Sequence, residues 1–150
     1  RPSGTATPSL PSQERDAVEV PLVEKRARTF SPEDAEGAQR FVGEWQGNYV
    51  CGQGPTGVTV RLDLASTGQL EGVFEFYPIA INPRAASGAY KVRAEYSAAN
   101  RALVLEPVSW IRRPSGYRMV GARLRAPLDA RILNGSVPSG GCSSISLSRN

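Results

Sequence analysis

The sequence predicts an all-β domain, an antiparallel barrel of about eight strands behind a short helix and an extended arm. Three observations carry this. From Gly43 onward apolar and polar residues alternate in short runs, the period of half-buried strands. Turn residues separate those runs at short, regular intervals, and the chain holds 15 Gly and 12 Pro in 150 residues, more than a helical domain carries. The two cysteines, Cys51 and Cys142, fall in the first and last of the proposed strands, which closure of a barrel makes neighbours. The length suits about one domain, and 40% hydrophobic residues suffice for a core.

Residues 1–30 read as an arm or linker, because Pro2, Pro8, Pro11 and Pro21 interrupt any helical or strand period. Its one apolar patch, Ala17 to Val23, suits either a tether or a segment that adds to a sheet edge or a partner surface. Residues 31–42 predict a short helix. Ser31 can cap it, Pro32 suits its first position, and Glu33 and Asp34 meet the positive end of its dipole. Ala35, Ala38, Phe41 and Val42 share one face and should pack on the body that follows.

Residues 43–150 form the predicted barrel. Strict alternation puts Trp45, Gly47, Tyr49 and Cys51 on one face of a first strand near 46–52. In 57–65, Val58, Val60, Leu62 and Leu64 point inward while Thr59, Arg61 and Asp63 point outward. The third strand turns Leu70, Gly72, Phe74 and Phe76 inward, and the fourth Tyr90, Val92, Ala94 and Tyr96. Further strands are expected near 101–111, 117–126, 130–137 and 142–149. Turn signals at Thr67-Gly68, Ala99-Asn100, Pro114-Ser115-Gly116, Leu128-Asp129 and Pro138 to Gly141 separate them. Short connections imply up-and-down neighbours, and closure removes exposed edges; a two-sheet sandwich is the alternative.

The cysteines are 91 positions apart and read best as a disulfide, with two buried free thiols as the alternative. The bond implies an extracytoplasmic setting: periplasm, cell surface or secretion. The chain has no histidine, which removes the commonest general base and zinc ligand together. No metal, no cofactor and no catalytic constellation is expected. No run approaches the roughly 18 apolar residues of a membrane helix, so no membrane span is expected. With Arg1 in first place the chain reads as processed or trimmed.

Gly52-x-Gly54-x-x-Gly57 has the spacing of a dinucleotide loop, but that loop must open a helix, whereas Pro55 and an alternating strand follow here. The glycines fit a tight strand connection instead. Glu71 and Glu75 lie roughly 13 Å apart at about 3.3 Å per residue, beyond the about 5 to 9.5 Å of glycosidase pairs. The apolar connection Tyr77 to Arg84 is expected to cover one barrel end, lining a ligand mouth or plugging the core. Asn134-Gly135 reads as a hairpin turn.

Charge is uneven. Residues 1–45 hold 6 basic and 8 acidic side chains and residues 46–150 hold 12 and 6, so the barrel is the cation. Six arginines fall between Arg112 and Arg131 with Asp129 as the sole acid, among Trp110, Tyr117 and Met119, and Arg outnumbers Lys 16 to 2. Guanidinium pairs bidentately with carboxylate or phosphate and stacks on aromatic rings. A hairpin carrying Trp110, Arg112, Arg113, Tyr117, Met119, Arg123 and Arg125 is the candidate contact surface, with Arg112 and Arg113 in its turn and Met119, Arg123 and Arg125 on one strand face. The alternative is a solvated face of an arginine-biased protein. The disulfide and the modest charge disfavour nucleic acid as the partner.

Gly43-x-Trp45 resembles the start of calycin barrels of the lipocalin and avidin type, whose first strand carries that pair with Trp near the closed end. The resemblance implies a calycin-like ligand-holding cup. A wider set resembles a small bacterial domain found alone or attached to envelope and signalling proteins: Trp45-x-Gly47-x-Tyr49-x-Cys51, Phe74-x-Phe76-Tyr77, Ser87-Gly88-x-Tyr90, Trp110-Ile111, Pro114-x-Gly116-Tyr117 and Cys142. It implies a bacterial β module and no particular chemistry. Tyr49-x-Cys51, Ser87-Gly88-x-Tyr90 and the late Cys142 are also similar to inhibitors of c-type lysozyme. The Trp-x-Lys-Gly that should follow is absent, and a net charge of +4 opposes capture of a cationic enzyme.

The expectation is therefore a non-enzymatic binding or accessory module of a bacterial envelope or secreted assembly, with a protein partner or an acidic surface meeting its arginines. The alternatives are a small-ligand carrier of calycin type, with Trp45, Phe74, Phe76 and Tyr90 lining a cup, or a lysozyme-inhibitor-like protein.

Overall fold

The computed structural model describes residues 31–149; the arm expected at 1–30 lies outside the described residues. An eight-residue helix α1 (Pro32–Gln39) precedes eight strands, β1 (Gly43–Cys51), β2 (Gly54–Leu64), β3 (Leu70–Tyr77), β4 (Gly88–Ser97), β5 (Ala102–Arg112), β6 (Ala122–Arg125), β7 (Ile132–Ser136) and β8 (Ser144–Ser148). They pair in sequence order, all antiparallel, and β8 returns to β1 to close a barrel. Closure pairs Gln46 with Ser148 and Tyr49 with Ile145.

The alternation works as the hydrophobic effect requires. Val58, Val60 and Leu62 from β2, Phe74 and Phe76 from β3, and Tyr90, Val92, Ala94 and Tyr96 from β4 are buried in one core. Leu64, at the end of β2, is exposed. Thr59 was expected outward and is buried, because Tyr77 covers it and the two hydroxyls bond at 2.9 Å.

One end of the barrel is plugged. Gly37 and Ala38 of α1 are buried. A Cβ on Gly37 would overlap the Tyr96 ring, so the missing side chain is what lets helix and β4 meet. Asp34 Oδ1 accepts the Ala98 amide proton at 2.7 Å. Phe41, just after the helix, packs on Tyr96 at 5.0 Å and Trp45 at 6.2 Å between ring centroids. Trp45 Nε1 donates to the Phe41 carbonyl at 3.1 Å, and the Arg149 guanidinium lies 4.3 Å from the Trp45 ring centroid. Arg149 also donates to the carbonyls of Val42 and Arg40, groups that the end of a helix otherwise leaves unsatisfied.

The β1–β8 seam depends on Gly47. A Cβ there would overlap the Ser146 carbonyl oxygen, so Gly47→Ala must push β8 outward. Equilibrium urea unfolding is expected to show a loss of at least about 2 kcal/mol, at the upper side of overpacking costs; a loss under about 0.5 kcal/mol would disprove the close approach.

Three local expectations are corrected. Asn134 and Gly135 lie inside β7, not in a turn; Gly135 is needed because a Cβ would overlap the Arg123 carbonyl of β6. The strand expected over 117–126 shrinks to Ala122–Arg125. Val120 commits both backbone groups to one side chain, its N–H donating to the Tyr90 hydroxyl at 3.1 Å and its carbonyl accepting from it at 2.7 Å. Those groups cannot then extend a ladder. β5 accordingly pairs with β6 only over Ala102 to Leu105, and two register shifts against β4 leave Val108 and Ile111 exposed. Residues 113–121 are therefore a crossing connection, not one arm of a hairpin, and Arg112 ends β5 where a turn was expected.

Candidate functional site

The end opposite α1 is formed by the β1–β2 turn at 52–53, the β3–β4 loop at 78–87, the β5–β6 connection at 113–121 and the β7–β8 loop at 137–143. These four segments carry Arg84, Arg113 and Arg118 and not one Asp or Glu. The plugged end differs. Around α1 and the closing loops there, Glu33, Asp34, Glu36 and Asp129 accompany Arg40, Arg101, Arg131 and Arg149, and Arg40 pairs with Asp129 at 2.7 Å. The charges are thus sorted along the barrel axis, cationic at the open end and mixed at the other.

The predicted contact residues divide between two places. Trp110, Arg112, Arg113, Tyr117 and Met119 gather at the open end. Arg123 and Arg125 stand on the outer wall along β6, exposed, with Arg125 paired to Ala102 at the plugged side. The separation follows from the missing hairpin: with no strand over 117–121, no common face joins Met119 to Arg123. At the open end Arg112 meets Glu75 at 3.6 Å, and Arg113 lies over the Trp110 ring at 5.7 Å. Trp110 is half-buried and packs edge-on against Phe76 and Tyr90, so it supports the arginine from below. Met119 and Tyr117 are partly buried against the core.

Trp45, Phe74, Phe76 and Tyr90, expected to line a cup, are fully buried against one another and their neighbours. Phe74 stacks on Tyr90 at 4.8 Å and Phe76 on Tyr117 at 5.4 Å, with Tyr49 edge-on to Phe74 at 5.4 Å. These rings and the aliphatic side chains of the same core fill the interior. Space for a ligand remains at the mouth, where a pocket of about 300 Å³ is lined by Tyr49, Gln53, Tyr117, Arg118, Val120 and the disulfide, among others.

The rim is held by long-range bonds. Cys51 and Cys142 form the disulfide, joining the end of β1 to the β7–β8 loop. The apolar connection Tyr77 to Arg84 does not plug the core: none of its residues is buried, and Ile81 is 76% exposed. Asn82 Nδ2 ties that loop to the β1–β2 turn through the Gln53 and Pro55 carbonyls at 2.6 and 2.9 Å. Tyr117 accepts the Ala86 amide proton at 3.0 Å, linking the β5–β6 connection to the same loop. Gly54 has φ of +94°, so the glycine-rich stretch makes a tight hairpin and opens no helix.

Sequence reasoning missed Gln53, Arg118's place at the pocket, and Arg84; their only local signal was position in loops between strands. Among the described residues, no group of His, Cys, Asp or Glu could hold a metal ion, and no helix is long and apolar enough to cross a membrane.

Fold and site together define a closed eight-stranded antiparallel barrel with a filled interior and a cationic open end. No protein-family model, no curated protein and no solved structure matches the chain.

Proposed function

We propose that this barrel is a non-enzymatic binding module, an accessory component of a bacterial envelope or secreted assembly, that holds an acidic protein partner at its open end. The observation that carries the reading is the sorting of charge: three arginines and no carboxylate in the four open-end loops. A face whose loops carry cations and no acids attracts anionic partners and repels cationic ones, which disfavours a lysozyme-inhibitor role. Guanidinium held over Trp110, as at Arg113, is oriented for carboxylate pairing at reduced entropic cost. The disulfide supports an extracytoplasmic location. The filled interior leaves a deep calycin-type cup little room, so a small ligand would sit at the mouth.

The test is binding of poly-glutamate to the full chain at low and at physiological salt. Replacing Arg84, Arg113 and Arg118 by Ser should weaken it at least about tenfold, whereas Arg123→Ser with Arg125→Ser on the wall should change it less than about twofold. Equal losses from the two variants would refute the open end as the contact face.

A further inference from the structure

We infer that the mouth pocket is a specific site for an apolar, ring-sized group that carries a carboxylate. The inference rests on the open end being the contact face and adds what chemistry its pocket selects. At about 300 Å³ the pocket lies at the small end of ligand sites, which run from about 300 to 1,000 Å³, and so suits one side chain or one small ring. Its walls include the Tyr49 and Tyr117 rings, Val120 and the Cys51–Cys142 bond. Arg118 is the one charged residue among those that line it.

The hydrogen bonding beneath points to an acceptor. Thr56 Oγ1 gives its proton to the Gly54 carbonyl at 3.1 Å, so toward Gln53 it can only accept. The group facing it is therefore the Gln53 amide nitrogen, at 3.1 Å. That same nitrogen donates to the Tyr49 hydroxyl oxygen at 3.4 Å, and no described residue accepts the Tyr49 proton. Tyr49 is only 3% exposed, and a buried hydroxyl without an acceptor is costly. Burial raises its pKa, nearby Tyr117 adds to the rise, and the Gln53 bond opposes it more weakly. The phenol thus keeps its proton through neutral pH. A guanidinium, a phenolic donor and apolar walls within one pocket match a carboxylate on an apolar body, since charge-assisted bonds to carboxylate are the strong ones.

Two sources offer that chemistry, a free small carboxylic acid or the carboxyl-terminal residue of a partner chain. The full chain is titrated with phenylacetate, phenylacetamide, and a short peptide ending in phenylalanine as free acid and as amide, followed by amide NMR shifts. At least one acid should bind at least about tenfold tighter than its amide, shifting Gly116, Gly140 and Gly141. Arg118→Gln and Tyr49→Phe should each weaken it at least about fivefold, and Arg123→Ser with Arg125→Ser on the outer wall of β6 should not. Phenylacetate binding assigns the site to free acids, and binding of the peptide acid alone assigns it to chain termini. Equal affinity for acid and amide, no binding of either acid at millimolar concentration, or shifts confined to other surfaces would overturn the inference. If poly-glutamate still binds through the three arginines in that case, the pocket assignment fails and the open-end reading stands; if neither binds, both fail.

Discussion

Reduction of the Cys51–Cys142 bond, or replacement of both cysteines by Ala, is expected to lower the free energy of unfolding by about 4 to 5 kcal/mol on the chain-entropy model. The bond closes a loop spanning 91 positions, and removing it returns that freedom to the unfolded chain. The native side adds its own reason. β1 and β8 pair over only four residues, Gln46 to Tyr49 against Ile145 to Ser148, and the disulfide anchors the loop just beyond the seam, where Ser143 N–H donates to the Val50 carbonyl at 2.9 Å. Urea unfolding with and without reductant measures the difference. A loss below about 1.5 kcal/mol would mean that the seam holds without its covalent link.

Trp45→Ala should cost about 3 to 5 kcal/mol, the range for deleting a buried large aromatic. Trp45 has no exposed surface, and its loss removes more than volume. The Phe41 carbonyl loses its donor, and the Arg149 guanidinium loses the ring it lies over. Since Arg149 also holds the carbonyls of Val42 and Arg40, the plug should loosen as a unit, and hydrogen exchange in α1 should quicken well before the barrel unfolds. Trp45→Phe, which keeps most of the packing, should cost less than half as much. Unchanged protection of α1 in Trp45→Ala would show that helix and Trp45 are not coupled.

What was legible in the sequence was what local chemistry controls. Alternation named the inward faces of β2, β3 and β4, turn residues bounded them, and Ser31-Pro32 with two carboxylates marked the helix start. The cysteine pairing was an expectation of another kind: if the barrel closes, the first and last strands are neighbours. The site was less so. Five of its predicted contact residues share the open end, but nothing local distinguished them from Arg123 and Arg125 on the wall.

The sequence by itself therefore determined the all-β class, the succession of strands and the cationic character of residues 46–150, because these follow from periodicity, turn chemistry and counting. Barrel closure over a sandwich, and a disulfide over two free thiols, came from the structure. Only the tertiary structure decided that Thr59 is covered by Tyr77, that Asn134-Gly135 runs through a strand, and that Tyr90 takes the backbone of Val120 out of the sheet. It also decided which arginines stand together. Arg84, Arg113 and Arg118 lie on two connections whose common end is set by strand direction, and Tyr49 bonds to Gln53 and shares a pocket with Arg118 only where β1 delivers it to the mouth. Contacts between residues far apart in sequence carry no local signal, since their energy comes from the closed barrel that brings them together.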